Sequence, residues 1–150
     1  MAPLIVLIVA ILLARAVGYA GVSGLRSWPA ATRLGLAAMF CFPAAAHFTT
    51  MRADLARMVP PAIPNPELMV TITGICELLG AIGLLVPRTR RAAAIALIGF
   101  LLAVLPANVH AALAGVTLRG APPTPLAPRI ALQALFIVLV WWSGLRAASR

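Results

Sequence analysis

Apolar residues in this chain come in long blocks and do not alternate with polar ones. Five blocks stand out: Pro3 to Tyr19, Leu34 to Phe48, Leu68 to Val86, Ala92 to about Leu113, and Ile130 to Leu145. A bilayer core of roughly 30 Å needs about 20 apolar residues as a helix. The blocks therefore predict an all-α fold, a polytopic transmembrane helical bundle. The second block is short, opened by Arg33, and Ala31 and Thr49–Thr50 can extend it. The first carries no basic residue ahead of it, and Arg15 follows its main run. A secretory signal would show the opposite order, so we read a retained helix over 3–20; a cleaved or non-spanning segment is the alternative. With five blocks nearly all of the chain is used, which predicts one integral-membrane domain over 1–150.

The connections differ in character. "MRADLARMVPPAIPNPE" follows the second block. Met51, Leu55, Met58 and Val59 recur at helical spacing, with Arg52, Asp54 and Arg57 on the other side. This predicts a short amphipathic helix lying at the membrane interface, stopped by Pro60 and Pro61. Asn65-Pro66-Glu67 then predicts a helix start. Asn caps, Pro fits the first turn, and Glu67 faces the positive end of the dipole. "PRTRR" makes a tight basic turn after Pro87, Pro106 should kink the fourth helix and free a carbonyl one turn earlier, and "LRGAPPTPLAP" forms a Pro-rich loop.

Composition agrees with the pattern. Among 150 residues 63% are hydrophobic and 10% charged, too few charges for a soluble surface. The net charge of +9 comes from twelve basic residues, all Arg. They stand at block ends and do not cluster with aromatics, which argues for topology signals and against nucleic-acid binding. Arg15, Arg26, Arg33, Arg88, Arg90, Arg91, Arg146 and Arg150 fall on one side; Arg52, Arg57, Arg119 and Arg129 fall on the other. The first side is then cytoplasmic. With five crossings the N-terminus is outside and the C-terminus inside. Trp28, Trp141 and Trp142 fall near the cytoplasmic interface. The alanine and arginine bias suggests a GC-rich bacterial genome and so a bacterial inner (plasma) membrane. Cys41 and Cys76 form no CxxC or Cys/His spacing, so no metal site is expected. Both read as small apolar residues of buried helices, with a redox pair as the alternative.

Glu77 is the residue that the pattern does not explain. It lies near the middle of "TGICELLGAIGLLVP" and so near the bilayer midplane. An ionised carboxylate there costs several kcal/mol unless it is paired, hydrated or protonated. Its helical face is Val70, Thr73, Gly74, Glu77, Gly80, Ala81 and Leu84, small and partly polar. Gly74 and Gly80 would let a neighbouring helix approach closely. Glu77 should face into the bundle, either as a structural hydrogen bond between helices or as a ligand-binding or proton-handling group. Candidate neighbours are Thr73, His47 at the outer end of the second block, and Asn108 just after Pro106. His110 stands about 200° from Asn108 on a helix and cannot share its face; it reads as interfacial.

The segments around these residues resemble the DoxX-like family of small multi-spanning membrane proteins. The resemblance covers about Arg33 to Leu145 and rests on His47–Phe48, "TGICELLGAIGLLVP", the basic turn and Pro106-Ala107-Asn108. It implies a four-helix core over 33–146, with 3–20 as an added fifth helix, and picks out His47, Glu77, Pro106 and Asn108. It also implies a link to membrane redox complexes, some family members being subunits of quinone-linked oxidoreductases. On this reading the chain is at most a membrane subunit, since no residue transfers electrons by itself. No covalent cofactor is implied; quinone or a similar amphipath is the expected ligand, and lipid and partner redox proteins are the expected partners. A homo-oligomer stays open. The alternatives are a non-catalytic scaffold or assembly factor and, less well supported without an inverted repeat, a small transporter.

Overall fold

A computed structural model of the protein describes residues 2–118, 120, 121 and 125–146. Arg119, Arg150 and residues 122–124, which enter the arginine count and the Pro-rich loop, lie outside the described residues. Among the described residues six α-helices follow one another: α1 (Ala2–Tyr19), α2 (Trp28–Ala46), α3 (Arg52–Met58), α4 (Pro66–Leu85), α5 (Arg90–Leu113) and α6 (Leu126–Val140). A 3₁₀ turn, Ser23–Leu25, joins α1 to α2, and α6 runs on as a π-helix, Trp141–Arg146. No strand occurs among the described residues.

Among the described residues four helices are long and apolar enough to cross a membrane: α1, α4, α5 and the continuous stretch Leu126–Arg146. α2 is not among them. It begins earlier than the apolar block suggests, at Trp28 with Ser27 Oγ accepting from the Ala30 amide at 3.3 Å. It stops at Ala46, so Thr49 and Thr50 do not extend it, and Pro43 lies within its last turn. Its lower hydropathy has a structural reason. α2 sits against α1 and α4 and touches the end of α6, so less of it needs to meet lipid, and Thr32 and Arg33 can sit within the bundle. Arg33 Nη1 donates to the carbonyl of Ser143 at 2.8 Å, in the π-helical turn.

One core draws on every long helix, with Leu7 from α1, Leu36 and Phe40 from α2, Leu84 from α4, Leu97 from α5 and Val140 from α6. Large apolar side chains also cover the outside, including Leu13, Leu79, Ile95 and Val138, each more than half exposed. A water-soluble domain would not show apolar faces on this scale; a bundle solvated by lipid must.

One local expectation needs correction. Asn65 occupies the position before α4, but with φ 52° and ψ 62° its backbone is left-handed and its side chain makes no capping bond. Side-chain capping uses extended backbone at that position, so the turn between two prolines, not an asparagine oxygen, starts the helix. The expected amphipathic helix forms as α3. Met51, Leu55, Met58 and Val59 are half-buried, and α3 packs on α4 and α5. Its apolar face meets the bundle. α5 continues through Pro106 as one helix.

Candidate functional site

α2 and α4 meet where His47 ends the first and Glu77 sits halfway along the second. Gly74 makes the meeting feasible. A Cβ there would stand 2.7 Å from His47 Cβ and 2.9 Å from its Cγ. His47 Nδ1 lies 2.7 Å from the Val70 carbonyl. A carbonyl only accepts, so Nδ1 carries a hydrogen and donates it. Thr73 Oγ1 lies 3.3 Å from the same nitrogen and itself donates to the carbonyls of Met69 and Val70, at 2.8 and 3.0 Å. The imidazole is thus held on its Nδ1 edge by α4, and Nε2 faces Glu77.

Nε2 and Glu77 Oε2 are 3.4 Å apart, with side-chain exposures of 11% and 10%. A single proton held between them would leave the pair with no net charge, as a neutral imidazole beside a carboxylic acid or as an imidazolium beside a carboxylate, and either form would lower the cost of a carboxyl in an apolar helix. The pair is close without being closed: Glu77 Oε2 is buried and has no hydrogen bond among the described residues. Leaving a buried polar atom unsatisfied costs about 1–3 kcal/mol.

A cleft of about 1230 Å³ runs along the α4–α5 face, from Thr89 and Val86 at one end to Val59, Ile63 and Arg129 at the other. Its walls are largely apolar. His47, Thr73 and Glu77 line it on the α2–α4 side, and a second polar group lines it from α5 and α6. There Asn108 Nδ2 donates to Gln133 Oε1 and Arg129 Nη1 donates to Asn108 Oδ1, each at 3.4 Å. Gln133 Nε2 donates to the carbonyl of Leu101. That carbonyl adjoins Leu102, whose usual helical donor is lost at Pro106.

The structure therefore brings His47, Thr73, Glu77 and Asn108 to one cleft. Gly80 serves packing at a different place, since a Cβ there would stand 2.4 Å from Leu97 Cδ2 on α5. His110 does not line the cleft. Cys41 and Cys76 are free and exposed, so the expectation of burial fails for both; Cys76 lines the cleft. No cluster suited to a metal ion occurs among the described residues. Gln133 and Arg129 were not anticipated from the sequence. An isolated glutamine midway through an apolar block, here "RIALQALF", was the available signal.

Residues 36–144 match a family described as a domain of unknown function, DUF8561, and the chain belongs to that family. The match takes in His47, Glu77, Asn108, Arg129 and Gln133 and leaves out α1. No curated protein and no solved structure matches the chain.

Proposed function

We propose that this member of the DUF8561 family is a multi-pass membrane protein that binds quinone or a similar amphipath in the α4–α5 cleft, as a membrane subunit of a redox-linked system. The observation that carries the reading is the buried, unbonded Oε2 of Glu77 beside His47 Nε2, on the wall of a long apolar cleft. A pair that shares one proton can donate a hydrogen bond to a quinone carbonyl and accept one from a quinol hydroxyl. The apolar walls would take the tail, and the polar head would stop at the pair. A carboxyl and an imidazole in contact can also pass a proton to or from the head. Electrons would come from a partner redox protein, because no residue here carries them. The resemblance to the DoxX-like family supports the same reading. We place α2 as a fifth crossing beside the four apolar helices, with the Arg-rich end on the cytoplasmic side of a bacterial inner membrane; the arginine distribution supports this.

The test is to purify the protein from its native membrane in mild detergent and identify bound small molecules by mass spectrometry, wild type beside Glu77→Gln. We expect a quinone-class molecule near one per chain, lost in a variant that melts as wild type does. An empty cleft in both proteins, equally stable, would overturn the reading and leave the scaffold.

A further inference from the structure

The Arg-rich end of the bundle holds a second, smaller cavity, of about 300 Å³. It lies between the 3₁₀ turn, the first turns of α2 and α5, and the end of α4. Arg33 and Arg90 line it together with Leu25, Leu34 and Leu85. Both arginines thus face one small space, and two like charges there repel. Arg33 spends one nitrogen on the Ser143 carbonyl. Arg90 Nε is buried and has no hydrogen-bond partner among the described residues.

Like charges drawn into one cavity call for an anion, and no acidic side chain of the chain lines it. Its three acidic residues are Asp54, Glu67 and Glu77. Asp54 is bonded by Arg57, Glu67 lies 3.3 Å from Arg52, and Glu77 lies beside His47. All three belong to α3 and α4 at or beyond the cleft's polar pair. Two other arginines on that side are engaged by rings or a carbonyl, although Arg15 Nη1 is also buried without a hydrogen-bond partner among the described residues. Arg15 stacks between Tyr19 and Trp28 at 4.7 and 4.5 Å, and Arg26 Nε donates to the Gly18 carbonyl at 3.2 Å.

We infer that the cavity between Arg33 and Arg90 binds a phosphate-bearing anion from outside the chain, with the headgroup of an anionic phospholipid as its source. Guanidinium groups hold phosphate through paired N–H donors. The three leucines of the rim give a lipid's glycerol and upper acyl carbons an apolar seat, which a soluble phosphate would not need. The position at the end of the apolar helices puts the cavity at headgroup depth, where basic pockets between helices hold anionic lipids. The inference is independent of the α4–α5 cleft and of what fills it.

Native mass spectrometry of the full chain in detergent, offered an equal mixture of phosphatidylglycerol and phosphatidylcholine, tests it. Wild type should retain about one phosphatidylglycerol in preference to phosphatidylcholine. Arg90→Gln should weaken that retention about fivefold, the effect of one interfacial charge, and Arg90→Lys should keep most of it. Arg88→Gln removes the same charge from an exposed neighbour outside the cavity and should retain lipid as wild type does. Melting of each variant in phosphatidylcholine nanodiscs should match wild type, since Arg90 Nε has no bond to lose. Excess inorganic phosphate provides the second arm. Failure to displace the lipid supports the lipid source, and displacement supports the same phosphate site read by a soluble anion. Equal retention of the two lipids by wild type, or an equal loss in Arg88→Gln, would overturn the inference and reduce the end to general surface charge.

Discussion

The cleft has two polar stations, and they are built on different principles. On the α2–α4 side an imidazole and a carboxyl meet, with Gly74 removing the side chain that would keep them apart. On the α5–α6 side an amide pair and a guanidinium meet, with Gln133 tied to the Leu101 carbonyl. The first station sets an imidazole against a carboxyl, two groups that can pass a proton between them. The second has no group that gives up a proton near neutral pH. The first also leaves an oxygen unbonded, whereas Gln133 has both its amide nitrogen and its oxygen engaged. A cleft with one labile station and one satisfied station suggests that ligand chemistry belongs to the first and helix registry to the second.

The comparison can be broken at its strongest point by filling Gly74. Gly74→Leu should push His47 away from Glu77, cost about 1–3 kcal/mol as an overpacked contact, and empty the cleft of ligand. Thermal melting in nanodiscs measures the first effect. An unchanged melt would mean that α2 and α4 do not approach as closely as described. Next in size is the coupling within each station. A double-mutant cycle of His47→Gln and Glu77→Gln should give about 0.6 to 1.7 kcal/mol, the range of polar contacts between membrane helices. The cycle of Asn108→Ala and Arg129→Gln should fall at or below the lower figure. A larger coupling there would invert the comparison.

Gln133→Leu sharpens it further. We expect a loss of about 0.6 kcal/mol, read by melting, while quinone-class ligand is still retained. Loss of ligand with little change in stability would move the head group to the α5–α6 station. The smallest effect belongs to Gly99→Ala. Nothing stands within 4 Å of a Cβ at this position, although Gly99 lines the same cleft. Stability should change by less than about 1 kcal/mol. A large loss would show that α5 is covered there by something the chain alone does not contain.

How much of this was legible beforehand varied with the kind of signal. Glu77 was conspicuous because a carboxyl in a run of apolar residues is costly wherever it ends up, and its small-residue face pointed to a close neighbour. The burial of Val70, Gly74, Glu77, Gly80, Ala81 and Leu84 follows that face. Gly83 is also buried, one position off the stripe. Gln133 and Arg129 were silent because an uncharged amide and an arginine near a helix end each have an ordinary explanation. α2 misled for another reason. Its apolar block begins at Leu34, but the Ser27 cap and the company of α1 and α4 start the helix at Trp28.

Hydrophobic blocks and their breakers dictated an all-helical chain, its long apolar helices and the turn at Pro87. Those are local consequences of backbone hydrogen bonding in an apolar solvent, where a helix is the form that satisfies its own groups. Which helices touch is not local. That His47 finds Glu77, that Asn108 finds Gln133, that α3 folds onto the bundle, and that Arg33 and Arg90 share a cavity all depend on packing between segments distant in sequence. Periodicity tells which face of a helix is small or polar; only the assembled bundle decides what that face meets.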